Sequence, residues 1–193
     1  CVDYRGSNTT NVMNEITGEE FTSSVNITSN RSTCTIQSNG IPNHNFNETG
    51  SFVTPLQVQS HSFRITRNPV PANSNTQLPY GSVGIFLNGV PLNIVPLICY
   101  RANTGNGNID YTCATDAMRN PWRFDLMSSF NSYGNEDPHN AHPLSSTGAY
   151  HYHGTPNALF DANCESSGIP SPIIGFASDG FPIYGSCFSD DGT

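Results

Sequence analysis

The sequence predicts a mostly β domain: a single β-barrel or β-sandwich with an extended N-terminal arm, stapled by disulfides. Three observations predict it. Short stretches of period-two alternation recur along the chain, 17 Gly and 14 Pro punctuate them throughout, and the six cysteines are even in number and widely spaced. No heptad or longer repeat is present. A length of 193 residues suits one domain with an extra segment. The hydrophobic fraction is only 35%, so the core is expected to be thin and built around 11 Phe and 8 Tyr.

Residues 1–50 read as a polar arm or linker, and residues 51–193 as the β domain. The first segment is rich in Ser, Thr and Asn, with strand-like patches at Val25–Thr28 and Thr33–Ile36 that lack apolar partners nearby. Such a segment either exchanges onto a neighbouring copy, folds back onto its own domain, or stands out as a glycosylated stalk. All four glycosylation sequons (Asn8, Asn26, Asn30 and Asn47) lie within it, although 14 of the 23 Asn lie later. Residues 51–67 alternate, with Leu56, Val58 and Ser60 on one side before Phe63 and Ile65. The Pro-rich stretch 68–75 is a loop. A hairpin follows: Val83–Leu87, an Asn88-Gly89 turn, then Val90–Ile94, where Pro91 is confined to an edge or a first position. Asn106, Asn108 and Asp110 resemble the start of a calcium loop, but no Glu stands at the twelfth position, so Ca is the lesser cofactor expectation. A helix is expected over Thr115–Phe130, interrupted by Pro121.

The charge balance excludes whole classes of partner. Only 11% of residues are charged, against about 25% in ordinary domains; seven Arg and no Lys face 15 acidic residues, for a net charge of −8. Nucleic acid and anionic membrane surfaces are therefore not expected partners. No apolar run is long enough to span a bilayer as a helix. The chain opens on Cys1 without a leader, as a mature or trimmed product would. The cysteines contain no CxxC, so three disulfides in a secreted or cell-surface protein are expected. Sequence proximity favours Cys1–Cys34, Cys99–Cys113 and Cys164–Cys187.

The chemistry concentrates in one place. Four of the six His (His139, His142, His151 and His153) fall within fifteen residues. In Tyr150-His151-Tyr152-His153 a strand would project both His from one face and both Tyr from the other. Two imidazoles spaced i, i+2 converge on one metal ion. His142 or His139, with a carboxylate from Asp179, Asp137 or Glu136, would complete the set, and imidazole-rich sets suit Zn or Cu. The competing reading is a polar core of hydrogen-bonded His, with Asp179 only shaping the Asp179-Gly180 turn. His44 and His61 are isolated and expected on the surface or in packing. Nucleophile motifs, a P-loop and HExxH are absent. Trp122, beside Pro121, is expected to pack. Exposed aromatics beside Asn and Asp would instead suit a carbohydrate.

GAYHYHGTP (148–156) and SPIIGFASDGFPIYG (171–185) resemble the YHYH domain family. Ile85–Leu92 resembles that family's strand ending in an NGVP turn, and Ala141-His142-Pro143 its GHP element, with Ala where Gly is usual. The resemblance covers about residues 80–187. It matches at His142, Tyr150–His153, Asp179–Pro182, Tyr184 and Gly185, and it implies an extracellular module that continues past Thr193. No established reaction comes with it. The function expected first is a non-enzymatic structural or assembly protein that polymerises head to tail into fibrils by N-terminal strand exchange. The alternatives are a Zn- or Cu-dependent metalloprotein or hydrolase and a carbohydrate-binding surface module.

Overall fold

A computed structural model of the chain describes residues 1–76, 78, 81–94, 99–100, 109–110, 122, 127, 135–160 and 170–188. The expected helix at 115–130 and the residues Asn106, Asn108, Cys113 and Cys164 lie outside these, apart from Trp122 and Met127. Trp122 is a correction: it is exposed rather than packed.

The first sheet contains β1 (Gly6–Met13), β2 (Glu20–Ser29), β3 (Thr33–Ser38) and β4 (His61–Thr66), in that order and antiparallel throughout. The second contains β5 (Gly84–Phe86), β6 (Pro91–Leu92), β9 (Ala141–Pro143), β10 (Tyr150–Tyr152), β11 (Ile173–Ala177) and β12 (Pro182–Tyr184), ordered β12-β11-β5-β6-β10-β9. Between them in sequence, β7 (Cys99–Tyr100) and β8 (Ile109–Asp110) form a separate pair. Among the described residues neither large sheet closes on itself, so of the two expected architectures they form the sandwich and not the barrel.

Alternation explains how the sheets meet. On the first sheet Val25, Ile27, Cys34, Ile36 and Ile65 are buried against Ile85 and Phe176 of the second. The intervening positions Ser24, Thr28 and Gln37 face solvent. A second cluster gathers Val12, Ile41, Phe46, Leu56 and Ile174 around Phe86, Tyr150 and Tyr152. The segment read from sequence as an arm thus supplies three strands of the first sheet and half of its core. β3 pairs with β4 across residue 50, from Thr33–Thr66 to Ser38–His61. This is the fold-back arrangement.

Several local expectations are met or corrected. The Asn88-Gly89 turn joins β5 to β6, with Gly89 at φ 81° and Ser38 packed where a Cβ would stand. Pro91 opens β6, the position where its missing N–H costs least. Residues 51–60 are not a strand: Leu56 is buried but Val58 is exposed, and the amides of Gln57 and Gln59 bond to Gly148 and Asn39 on different elements. Pro55 and those divided hydrogen bonds keep the segment an irregular strap. Cys1 is disulfide-bonded to Cys34, and Cys99 and Cys187 are also in disulfides.

The inner face of β3 makes a direct prediction. Ile36 is fully buried while Thr35, beside it, lies on the outer face. Ile36→Ala is expected to lower the unfolding free energy in urea by about 2–5 kcal/mol, and Thr35→Ala by no more than about 0.5 kcal/mol.

Candidate metal centre

β9 and β10 form an antiparallel hairpin in which His142 stands directly opposite His151. His153 follows two residues after His151, diagonal to His142 on the same face. The backbone holds that register past the strand end, because His153 N–H donates to Asn140 O at 2.8 Å. The three rings form a nearly equilateral triangle, with centroids 4.9, 4.9 and 4.7 Å apart. One ligand atom from each of His142, His151 and His153 falls within 4.8 Å of the others.

The hydrogen bonds fix which nitrogens converge. His151 Nδ1 lies 3.0 Å from Ala149 O, and His153 Nδ1 lies 2.7 Å from Asn93 O. A carbonyl only accepts, so both Nδ1 atoms carry the proton and both Nε2 lone pairs are left for the cluster. His142 Nε2 lies 3.0 Å from His153 Nε2. Burial pushes all three imidazoles toward the neutral form. His142 is lowered to about 4 by desolvation and then by His151. His153 falls to about 3 by desolvation and then by both neighbouring His. His151 is lowered chiefly by desolvation.

With His153 Nε2 the acceptor, His142 Nε2–H is the donor of that contact, a proton that a metal ion would displace; neutral imidazoles are the state a metal ion requires. The three nitrogens are close enough together to hold a metal ion. Asn93 Oδ1, on the residue that orients His153, is buried and has no hydrogen-bond partner among the described residues. Among the described residues the cluster contains no carboxylate.

Two residues expected as ligands stand elsewhere. His139 Nε2 donates to Glu48 Oε1 at 2.9 Å, and its ring packs 4.0 Å from that of His44. Asp179 is exposed and accepts from Phe181 N–H at 3.4 Å, closing the β11–β12 turn whose Gly180 sits against Thr66. It shapes the turn, as the alternative reading had it.

The opposite face of β10 is as organised as the His face. Tyr150 and Tyr152 are fully buried. Tyr150 donates to Asp137 Oδ2 at 2.6 Å; burial raises the Asp137 pKa, and this bond opposes the rise. Tyr152 Oη accepts from Asn88 Nδ2 at 3.0 Å and lies 2.7 Å from His44 Nε2. His44 Nδ1 donates to Asn45 O at 2.6 Å, so its Nε2 must be the acceptor of the Tyr152 hydroxyl. His44 is therefore a working part of the core and not an isolated residue, which sequence reading missed. It lies 108 positions from Tyr152, and no local pattern marks it.

The sequons also separate. Asn8 and Asn30 are exposed and Asn26 is half-buried. Asn47 is 5% exposed, and its Nδ2, the nitrogen a glycan would occupy, donates to Asn14 Oδ1 at 3.1 Å. A cleft of about 500 Å³ opens between the sheets, lined by Tyr4, Asn8, Thr10, Asn43, Leu87 and Ile173 among others. It contains none of the three clustered His.

Fold and site together define an open two-sheet β protein with three histidines converging on one hairpin. The model of a family described as YHYH protein matches residues 62–193, and the chain belongs to that family. No curated protein and no solved structure matches it.

Two predictions follow from the tyrosine face. Tyr150→Phe leaves the buried Asp137 carboxyl without its hydroxyl donor and is expected to cost about 1–3 kcal/mol in chemical denaturation. His44 titrates at about 4 in the fold against 6.5 when exposed, chiefly through desolvation. As pH falls below 6.5 the unfolded chain takes up a proton that the folded chain refuses, so stability declines until about pH 4 and then levels. The shift corresponds to about 3 kcal/mol. Denaturation curves across this range should show His44→Gln less steep than the native chain by about one proton; parallel curves would refute the assignment.

Proposed function

We propose that this chain is an extracellular metal-binding module whose His142, His151 and His153 hold one Zn or Cu ion through their Nε2 atoms. The observation that carries the reading is the conversion of three neutral imidazoles into an ordered donor set. Backbone carbonyls of Ala149 and Asn93 fix two tautomers, and strand register supplies the third ring. A bound ion would provide Lewis acidity or, for Cu, redox capacity at its open position. The protein's part is to orient the rings, keep them deprotonated and exclude bulk water. Hydrolysis has less support, since it needs a general base beside the ion. Asp137 is engaged by Tyr150 on the other face of β10, and Asp179 is in the exposed turn.

Secretion belongs to the same reading, supported by the disulfides of Cys1, Cys34, Cys99 and Cys187. N-glycans, where the host adds them, would go to Asn8, Asn26 or Asn30 before Asn47. Polymerisation by exchange of the N-terminal segment would have to draw β1–β3 out of the shared core and carry the Cys1–Cys34 bridge with them.

Metal analysis of protein purified without a His tag tests the proposal. One Zn or Cu per chain should survive desalting and be lost in the His151→Ala/His153→Ala variant. A chelator should lower the Tm of the native chain alone, since an ion present at a thousand times its Kd stabilises by about 4 kcal/mol. Native protein that holds no more metal than the variant, with a Tm indifferent to chelator, overturns it.

A further inference from the structure

Among the described residues β1 has one neighbour, β2, and its other edge is open. Met13 shows which of its residues face outward. Met13 N–H donates to Asn45 Oδ1 at 3.0 Å, and Met13 O accepts from Phe46 N–H at 3.2 Å. Both groups point away from β2, so the Met13–Glu20 pair is a non-hydrogen-bonded one. In an antiparallel ladder the two kinds of pair alternate. Ser7, Thr9 and Asn11 therefore also turn their N–H and C=O groups outward, where no hydrogen bond from the described residues meets them. Gly6–Asn11 are all exposed.

Natural edge strands are blunted by shortness, proline, charge or a cover. The other edges of the two sheets follow this rule. β9 and β12 have three residues each and contain Pro143 and Pro182. β4 carries Arg64, and the Gly180 turn packs over Thr66 at its end. β1 has eight residues with no proline and no charge. Asn45 and Phe46 cover only its Met13 end.

We propose that β1 is a self-association edge: two copies of this chain pair antiparallel through Ser7–Asn11 about a two-fold axis at Thr9, joining their first sheets into one of eight strands. In this register Thr9 faces Thr9 of the second copy, and Ser7 faces Asn11. The Ser7–Asn11 pairing is of the hydroxyl–amide kind the sheet already makes internally, where Ser7 donates to Asn26 and Thr22 donates to Asn11. Charge favours the same direction. Arg5, with Asp3, flanks one end of β1 and Glu15 the other, so antiparallel copies bring each Arg5 within two residues of the partner's Glu15, whereas parallel copies would stack Arg5 on Arg5 and Glu15 on Glu15. A closed two-fold pairing gives a dimer and not an open fibril. Metal binding plays no part in it.

Light scattering and cysteine cross-linking test the edge. The native chain should show twice its monomer mass with a concentration-dependent equilibrium. Thr9→Pro, which removes an outward N–H and no internal bond, should raise the dimer Kd at least about tenfold. Thr9→Cys should yield a disulfide-linked dimer under mild oxidation, because directly opposed hydrogen-bonded residues have Cα atoms about 5.5 Å apart, within disulfide reach. Ser24→Cys, one strand inward on the same face, should not. If Thr9→Pro fails to fold by circular dichroism, the cysteine pair decides. A native chain that remains monomeric, a Thr9→Pro variant that folds and dimerises unchanged, or equal cross-linking at both positions overturns the proposal.

Discussion

The structure depends on the two-residue period of one short strand. β10 must bury Tyr150 and Tyr152 completely, since both stand at the centre of the larger core cluster. That fixes its register, because a slip of one residue would send both phenols to the other face and His151 into the apolar core. Their hydroxyls are then anchored by Asp137, His44 and Asn88, drawn from three separate segments. Once the tyrosines are set, His151 and His153 have no choice of side. The His cluster is thus held by packing on the face it does not use, which is how a rigid arrangement of three imidazoles arises on a hairpin of three-residue strands.

This coupling explains why the His cluster carries low pKa values: burial disfavours the charged rings, and among the described residues no carboxylate joins the cluster to favour them. The rings are buried by the sheet beneath them and oriented by main-chain carbonyls, so the neutral form is built in before any ligand arrives. The same cost appears on the tyrosine face, where His44 is kept neutral by burial to receive the Tyr152 hydroxyl. Acid therefore opposes both faces of the strand at once.

How much of this the sequence revealed depends on range. Alternation within Tyr150–His153 is a property of four consecutive residues, and it correctly separated the His and Tyr faces. The Asn88-Gly89 hairpin was equally legible, being local turn chemistry. His139 was misplaced because closeness in sequence to His142 says nothing about the Glu48 and His44 side chains that claim it. Residues 1–50 were undervalued for a related reason. Val25, Ile27 and Ile36 look too few to form a core, but the other half of that core, Ile85 and Phe176, lies far along the chain. A sheet face counts as apolar only together with the face it meets.

The Cys1–Cys34 bridge has a mechanical consequence. Tension applied at the N-terminus of the oxidised chain does not peel β1 from its open edge, the weakest direction in which to load a sheet. It enters at Cys34 on β3, which is bonded on both sides, by β2 and by β4. The strands between residues 1 and 34 hang as a slack loop outside the line of force. Reduction would return the load to β1 and let the sheet unzip strand by strand.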